Sequence, residues 1–116
     1  MDNLSDKGRE KRRFPRFPFK QAVKFRIGEY NCPDGSLSKD LSRGGICLTV
    51  NEFLAVKSPV VIYLQLNQES RLIQVHGTVS WIQMIPDSER FYVGIQFDPL
   101  EGSVNNEVNR IIVSLR

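Results

Sequence analysis

No run of this sequence approaches the ~20 consecutive apolar residues of a membrane-spanning helix. The first residues, MDNLSDKGREKRR, lack the apolar stretch of a secretory signal. The expectation is a cytoplasmic protein. Cysteine is scarce: Cys32 and Cys47 are the 2 present, too few for a disulfide framework and read as reduced thiols. One histidine, His76, added to those two cysteines falls short of the four ligands of a structural zinc site. No metal and no cofactor are therefore expected. His76 sits among polar neighbours in a strand-like run and is read as an exposed residue. There is no Gly-rich phosphate loop, no metal-spaced carboxylate set and no nucleophile–base motif, so the chain is not expected to be an enzyme.

What is present is a chain of 116 residues with 41% hydrophobic content, the length of one domain with enough apolar mass for a core. Its net charge of +3 is unevenly placed. Residues 1–16 hold six Lys/Arg (Lys7, Arg9, Lys11, Arg12, Arg13, Arg16) against three acids (Asp2, Asp6, Glu10), which accounts for the whole excess. The remaining body is neutral, unlike the basic stripe of a general nucleic-acid binder. The division read from this is a basic arm over 1–18 and a folded unit over 19–116.

After Pro18 the hydrophobic pattern has period two, the mark of half-buried strands. Val23, Phe25 and Ile27 share one face of QAVKFRI. NCPDGS reads as a turn through Pro33, Asp34 and Gly35, followed by a weak polar strand and then GICLTV. SPVVIYLQL is expected to be central, and NQES is its hairpin loop. In the long run LIQVHGTVSWIQM the inward series is Ile73, Val75, Val79 and Trp81. Gly77 falls in that series and marks a bend or bulge, and Trp81 is read as a core or rim anchor. PDSER forms the next loop, and FYVGIQF closes the sheet with Phe91, Val93, Ile95 and Phe97 inward. EFLAVK, at 52–57, is placed over one barrel end. Val104, Val108, Ile111, Ile112 and Leu115 then follow helical spacing over about 102–115, with Ser103 as N-cap. Several short antiparallel strands and one terminal helix make a mainly β fold, a small barrel.

Two segments carry chemistry. In KRRFPRF, at 11–17, Pro15 disfavours helix. An extended chain puts Arg12, Phe14 and Arg16 on one side and Arg13 on the other. Arg12 and Arg16 then span up to ~13 Å, which suits two phosphates or a phosphate and a purine. Guanidinium groups grip phosphate oxygens bidentately, pair with guanine O6 and N7 and stack on bases. A basic run of this kind also serves as a plain solvated tail. The second segment is DLSRGG, at 40–45. Asp40 and Ser42 point the same way in an extended chain; a carboxylate accepts from the Watson–Crick edge of guanine, and a hydroxyl serves a base or a phosphate. Gly44 and Gly45 permit close approach of a ligand, or an ordinary turn.

An R-x-x-x-R element (Arg12, Arg16) ahead of D-x-S-x-x-G (Asp40, Ser42, Gly45), on a small six-stranded barrel, resembles the PilZ domain family. The Gly77 strand ending in Trp81, the VGIQF strand and the closing helix extend the resemblance over nearly the whole chain. It implies a six-stranded antiparallel β-barrel with a C-terminal α-helix and a flexible N-terminal arm. It also implies binding of the bacterial second messenger cyclic di-GMP between the arm and the D-x-S-x-x-G strand. On that basis Arg12 and Arg16 hold phosphates and guanine Hoogsteen edges, with Arg13 as an auxiliary cation. Asp40 reads a guanine Watson–Crick edge with Ser42 beside it, and Gly45 leaves room for the base, with Gly44 counted among the ligand-binding residues. Ligand would order the arm and signal to a downstream protein partner. Two other functions fit the residues: a barrel binding single-stranded nucleic acid through the arm, and a protein-interaction module that needs no ligand.

Overall fold

The computed structural model describes residues 14–28, 30–65 and 71–116, with the backbone alone described for 30–35. Arg12, Arg13 and the NQES loop lie outside the described residues. In chain order the described elements are β1 (Phe17–Pro18), β2 (Ala22–Ile27), β3 (Tyr30–Ser42), β4 (Gly45–Val50), β5 (Pro59–Leu64), β6 (Ile73–Met84), β7 (Phe91–Phe97) and α1 (Gly102–Leu115). Neighbours run β1-β3-β2-β5-β6-β7-β4, and β4 pairs back to β3. The six longer strands therefore close into an antiparallel barrel. The arm contributes the extra strand β1 through its last two residues.

Alternation builds the core as the period-two pattern requires. Val23 and Phe25, Ile46 and Leu48, Ile62 and Leu64, Val75 and Val79, and Val93 and Ile95 are all buried. Each such side chain contributes about 1.5–3 kcal/mol on burial. Val108, Ile111 and Ile112 bury one face of α1, which packs against β6 and β1. Leu54, in the 52–57 segment, is buried and joins the hydrophobic core.

Four local expectations are corrected. NCPDGS is not the hairpin turn. The chain reverses between the paired residues Ile27 and Tyr30, where Gly28 takes φ +57°, a geometry open to glycine. Pro33, Asp34 and Gly35 instead lie inside β3. The register steps from Val23↔Ser36 to Phe25↔Cys32, so these three oppose one residue of β2 in a bulge, where a proline lacking an N–H is tolerated. The bulge in β6 is not at Gly77 either. Register shifts between Val79↔Ile95 and Trp81↔Gly94, and Ser80 Oγ donates to the Gly94 carbonyl at 3.2 Å. Gly77 answers a different need, because a Cβ there would stand 2.5 Å from the Gln96 carbonyl oxygen. The extra residue at Ser80 flips the alternation, so Trp81 leaves the inward series and is 40% exposed. Finally, the N-cap of α1 is Glu101, which is extended at φ −135° and makes no side-chain cap. Gly102 takes φ +56°, so the chain swings into the helix ahead of Ser103.

Gly45 is held by the barrel itself: a Cβ there would meet the Ile95 carbonyl oxygen at 2.1 Å. Gly45→Ala is expected to destabilise the fold by about 2 kcal/mol or more, read from urea unfolding. A loss under about 0.5 kcal/mol, the size of a neutral surface change, would show that β4 and β7 are not packed this closely.

Candidate functional site

The two segments singled out by sequence meet on the outside of the barrel. β1 pairs antiparallel with β3 in the register Phe17↔Leu41 and Pro18↔Asp40. Between β1 and β2 the chain stays on β3: Phe19 N–H donates to the Lys39 carbonyl at 3.1 Å, and Ser38 N–H to the Gln21 carbonyl at 2.8 Å. Ser38, buried, fastens the join through its side chain. Its Oγ donates to the Phe19 carbonyl and accepts from Gln21 N–H at 3.0 Å. This register carries Arg16 to the face on which Asp40 stands, as a diagonal neighbour. Arg16 Nη1 and Asp40 Oδ1 are 2.7 Å apart, a charge-assisted hydrogen bond. Both side chains keep contact with solvent, 31% and 23% exposed, so further ligand atoms have access to them.

The turn after Asp40 is built from its own residues. Ser42 Oγ accepts from Gly44 N–H at 3.1 Å and lies 3.4 Å from the Gly45 carbonyl. The Gly44 carbonyl accepts from Phe97 N–H at 2.9 Å, tying the turn to β7. Ser42 is 4% exposed, so its hydroxyl serves the turn. The arm touches this turn as well: Phe14 Cδ2 lies 3.2 Å from the position of a Cβ on Gly44, and the Arg43 guanidinium carbon is 5.2 Å from the Phe14 ring centroid.

Beside the ion pair the outer face continues across four strands in one row: Asp40, Cys47, Gly94 and Trp81, in register from β3 through β4 and β7 to β6. The Trp81 indole lies on Gly94, where a Cβ would meet its Nε1 at 2.1 Å. Lys39, extruded by a register shift between Ser38 and Asp40, sits with its Nζ 4.5 Å from the Tyr92 ring centroid. Among the described residues at the site, Arg16, Lys39 and Arg43 outnumber the one carboxylate, Asp40. The surface is cationic, open, and edged by an exposed aromatic face. A separate groove of 240 Å³, lined by Ile27, Glu52, Phe53, Leu54 and Ala55, follows the far end of β4 from this turn.

The PilZ domain family model matches residues 10–114. The chain belongs to the PilZ domain family. Among solved structures, this PilZ domain is similar to the Bacillus subtilis inhibitor of motility, MotI/DgrA, with a TM-score of 0.72 and 18% identity over 89% of this chain and 50% of that one. It is similar to K. pneumonia MrkH in its c-di-GMP complex, with a TM-score of 0.68 and 24% identity over 90% of this chain and 52% of that one. It is also similar to the Escherichia coli YcgR PilZ domain with c-di-GMP, with a TM-score of 0.66 and 18% identity over 90% of each chain. At these identities the likeness shows the shared fold. This PilZ domain spans about half the length of MotI/DgrA and MrkH. No curated protein matches it in sequence.

Of the seven residues singled out from sequence, the structure brings together Arg16, Asp40, Ser42, Gly44 and Gly45; Arg12 and Arg13 lie outside the described residues. Sequence reasoning missed Phe14 as a contact of Gly44, and Arg43 and Lys39 as neighbours of the site. A signal existed for Arg43, which stands inside D-x-S-x-x-G. For Phe14 no periodic pattern marks a partner.

Cys47 lies under this face, opposite Asp40. Burial first, then the Asp40 carboxylate, push its thiol from 9.0 up to about 11. The thiolate is the reactive form, so in a Cys32→Ser background native Cys47 is expected to resist an aromatic disulfide reagent at pH 8 and to react when urea unfolds the chain. Because the folded thiol keeps its proton longer, its stabilising contribution is complete below about pH 9 and declines toward about pH 11. Cys47→Ala should lack that share of the alkaline slope. Rapid labelling of the native protein would contradict this burial.

Proposed function

We propose that this PilZ domain is a receptor for cyclic di-GMP, binding the dinucleotide on the face formed by the arm and the Asp40–Gly45 turn. The observation that carries the reading is the 2.7 Å contact of Arg16 with Asp40, which joins two segments 24 residues apart into one surface. The ligand offers two phosphates and two guanines. Arg16, with Arg12 and Arg13 just before it, supplies planar donors for phosphate oxygens and guanine Hoogsteen edges. Asp40 accepts from the N1–H and N2–H₂ edge of a guanine, and its pairing with Arg16 orients the carboxylate for that task. Ser42, Gly44 and Gly45 shape the turn that presents it. The exposed Trp81 indole provides a flat face on which a purine stacks.

Family membership supports this reading, as do the c-di-GMP complexes of MrkH and of the YcgR PilZ domain. The role is binding and signalling. Phosphate contacts at Arg12 and Arg16, with Arg13 as an auxiliary cation, draw the arm against the barrel, and the arm so held presents a surface to a downstream protein partner. No helix among the described residues is long and apolar enough to cross a membrane.

Titration calorimetry with cyclic di-GMP, GTP and a short single-stranded oligonucleotide tests the proposal. Saturable binding of cyclic di-GMP alone is expected. A hydrogen bond to a charged group is worth about 1.5–3 kcal/mol, so Arg16→Ala and Asp40→Ala should each weaken binding by at least about tenfold. Oligonucleotide binding with a steep salt slope would move the assignment to single-stranded nucleic acid. Silence toward all three would leave a protein-interaction module.

A further inference from the structure

We infer that Phe14 is a positioning residue of the dinucleotide site: held against Gly44 and the Arg43 guanidinium, it clamps the arm to the turn so that Arg16 meets Asp40. This rests on the cyclic di-GMP reading and deepens it. The Phe14 Cδ2 and Cε2 atoms lie 3.2 and 3.7 Å from where a Gly44 Cβ would stand. A Cβ at 44 would therefore crowd the ring, which would have to give way by a few tenths of an ångström. The Arg43 guanidinium carbon, 5.2 Å from the ring centroid, is within cation–π range. Gly44 was read as permitting close approach of a ligand or an ordinary turn; the side on which a Cβ would stand faces the Phe14 ring.

The surface receiving the ring is rigid. Ser42 Oγ fixes the Gly44 amide, and Phe97 N–H fixes the Gly44 carbonyl. From Phe14 to Arg16 the chain passes through Pro15, whose φ is confined near −65°, so a fixed ring leaves Arg16 few alternative positions. Extended alternation puts Phe14 and Arg16 on the same side of the arm, and both side chains reach the 40–45 turn. Preorganisation of this kind removes an ordering cost that ligand binding would otherwise carry. The opposite assignment, a ring that blocks a purine and must leave, predicts an effect of opposite sign.

The test is calorimetry with cyclic di-GMP on the full chain, using Phe14→Ala, Phe14→Tyr, Arg16→Ala and the Phe14→Ala/Arg16→Ala pair. Phe14→Ala is expected to weaken binding about tenfold, and Phe14→Tyr, which keeps the ring, to restore it to within about twofold. A positioning residue acts through the group it positions, so the double variant should lose less than the product of the two single losses. Hydrogen exchange of the ligand-free protein gives an independent readout. The Phe19 amide, bonded to the Lys39 carbonyl at 3.1 Å, should exchange faster in Phe14→Ala and at the original rate in Phe14→Tyr. Unchanged affinity or unchanged exchange in Phe14→Ala overturns the clamp, and tighter binding marks the ring as a blocker instead. If the wild type binds no cyclic di-GMP, the receptor reading fails and exchange alone decides whether the clamp exists.

Discussion

The site depends on the pairing of Phe17 and Pro18 with Leu41 and Asp40. That ladder is two residues long and would be weak by itself. It holds because Ser38 binds the backbone at Phe19 and Gln21, because the Phe19 amide reaches Lys39, and because Phe17 packs against the core. Together these fix the register of the arm. Once the register is set, Arg16 has Asp40 as its diagonal neighbour, and their ion pair follows from strand geometry. As an exposed ion pair it adds little stability. Its consequence is positional: it turns two separate motifs into one surface of defined chemistry.

The barrel provides the rigid half of that surface. Glycines at 45, 77 and 94 each make room for something specific. Gly45 and Gly77 admit the backbone of β7, and Gly94 admits the Trp81 indole. The same close packing that stabilises the barrel thus sets the level of the floor between Asp40 and Trp81. Cys47 belongs to this floor, and its raised pKa reflects both the burial and the carboxylate above it. The other half is the end of the arm, which among the described residues runs from Phe14, against Gly44 and Arg43, to the pairing of Phe17 and Pro18 with β3.

The β-barrel was legible in the sequence because a barrel with one apolar side enforces alternation. Ile46 and Leu48, or Val93 and Ile95, have nowhere else to point. The terminal helix was legible for the analogous reason at its own period. What escaped were the places where one or two extra residues change the count. Pro33-Asp34-Gly35 carries turn chemistry, and a bulge uses that chemistry as readily as a hairpin; Gly28, alone between two alternating runs, made the true reversal. Ser80 adds one residue to β6 and thereby reverses the face of Trp81, which no propensity scale registers. At the site, the nearness of Arg16 and Asp40, 2.7 Å apart, was readable only from R-x-x-x-R and D-x-S-x-x-G taken as a pair, since each segment alone also reads as a solvated tail or an ordinary turn. Phe14 was not, because an aromatic in a basic arm has no pattern that names its partner, and glycine at 44 is equally suited to a turn, a ligand or a ring.

The most direct measurement of the central claim is a crystal structure of the protein grown with cyclic di-GMP. The account predicts a ligand that contacts the Arg16 guanidinium and the Asp40 carboxylate together, on the face that runs toward Trp81. A ligand bound in the groove at Glu52–Ala55, or one that touches the arm while leaving Asp40 bare, would contradict it.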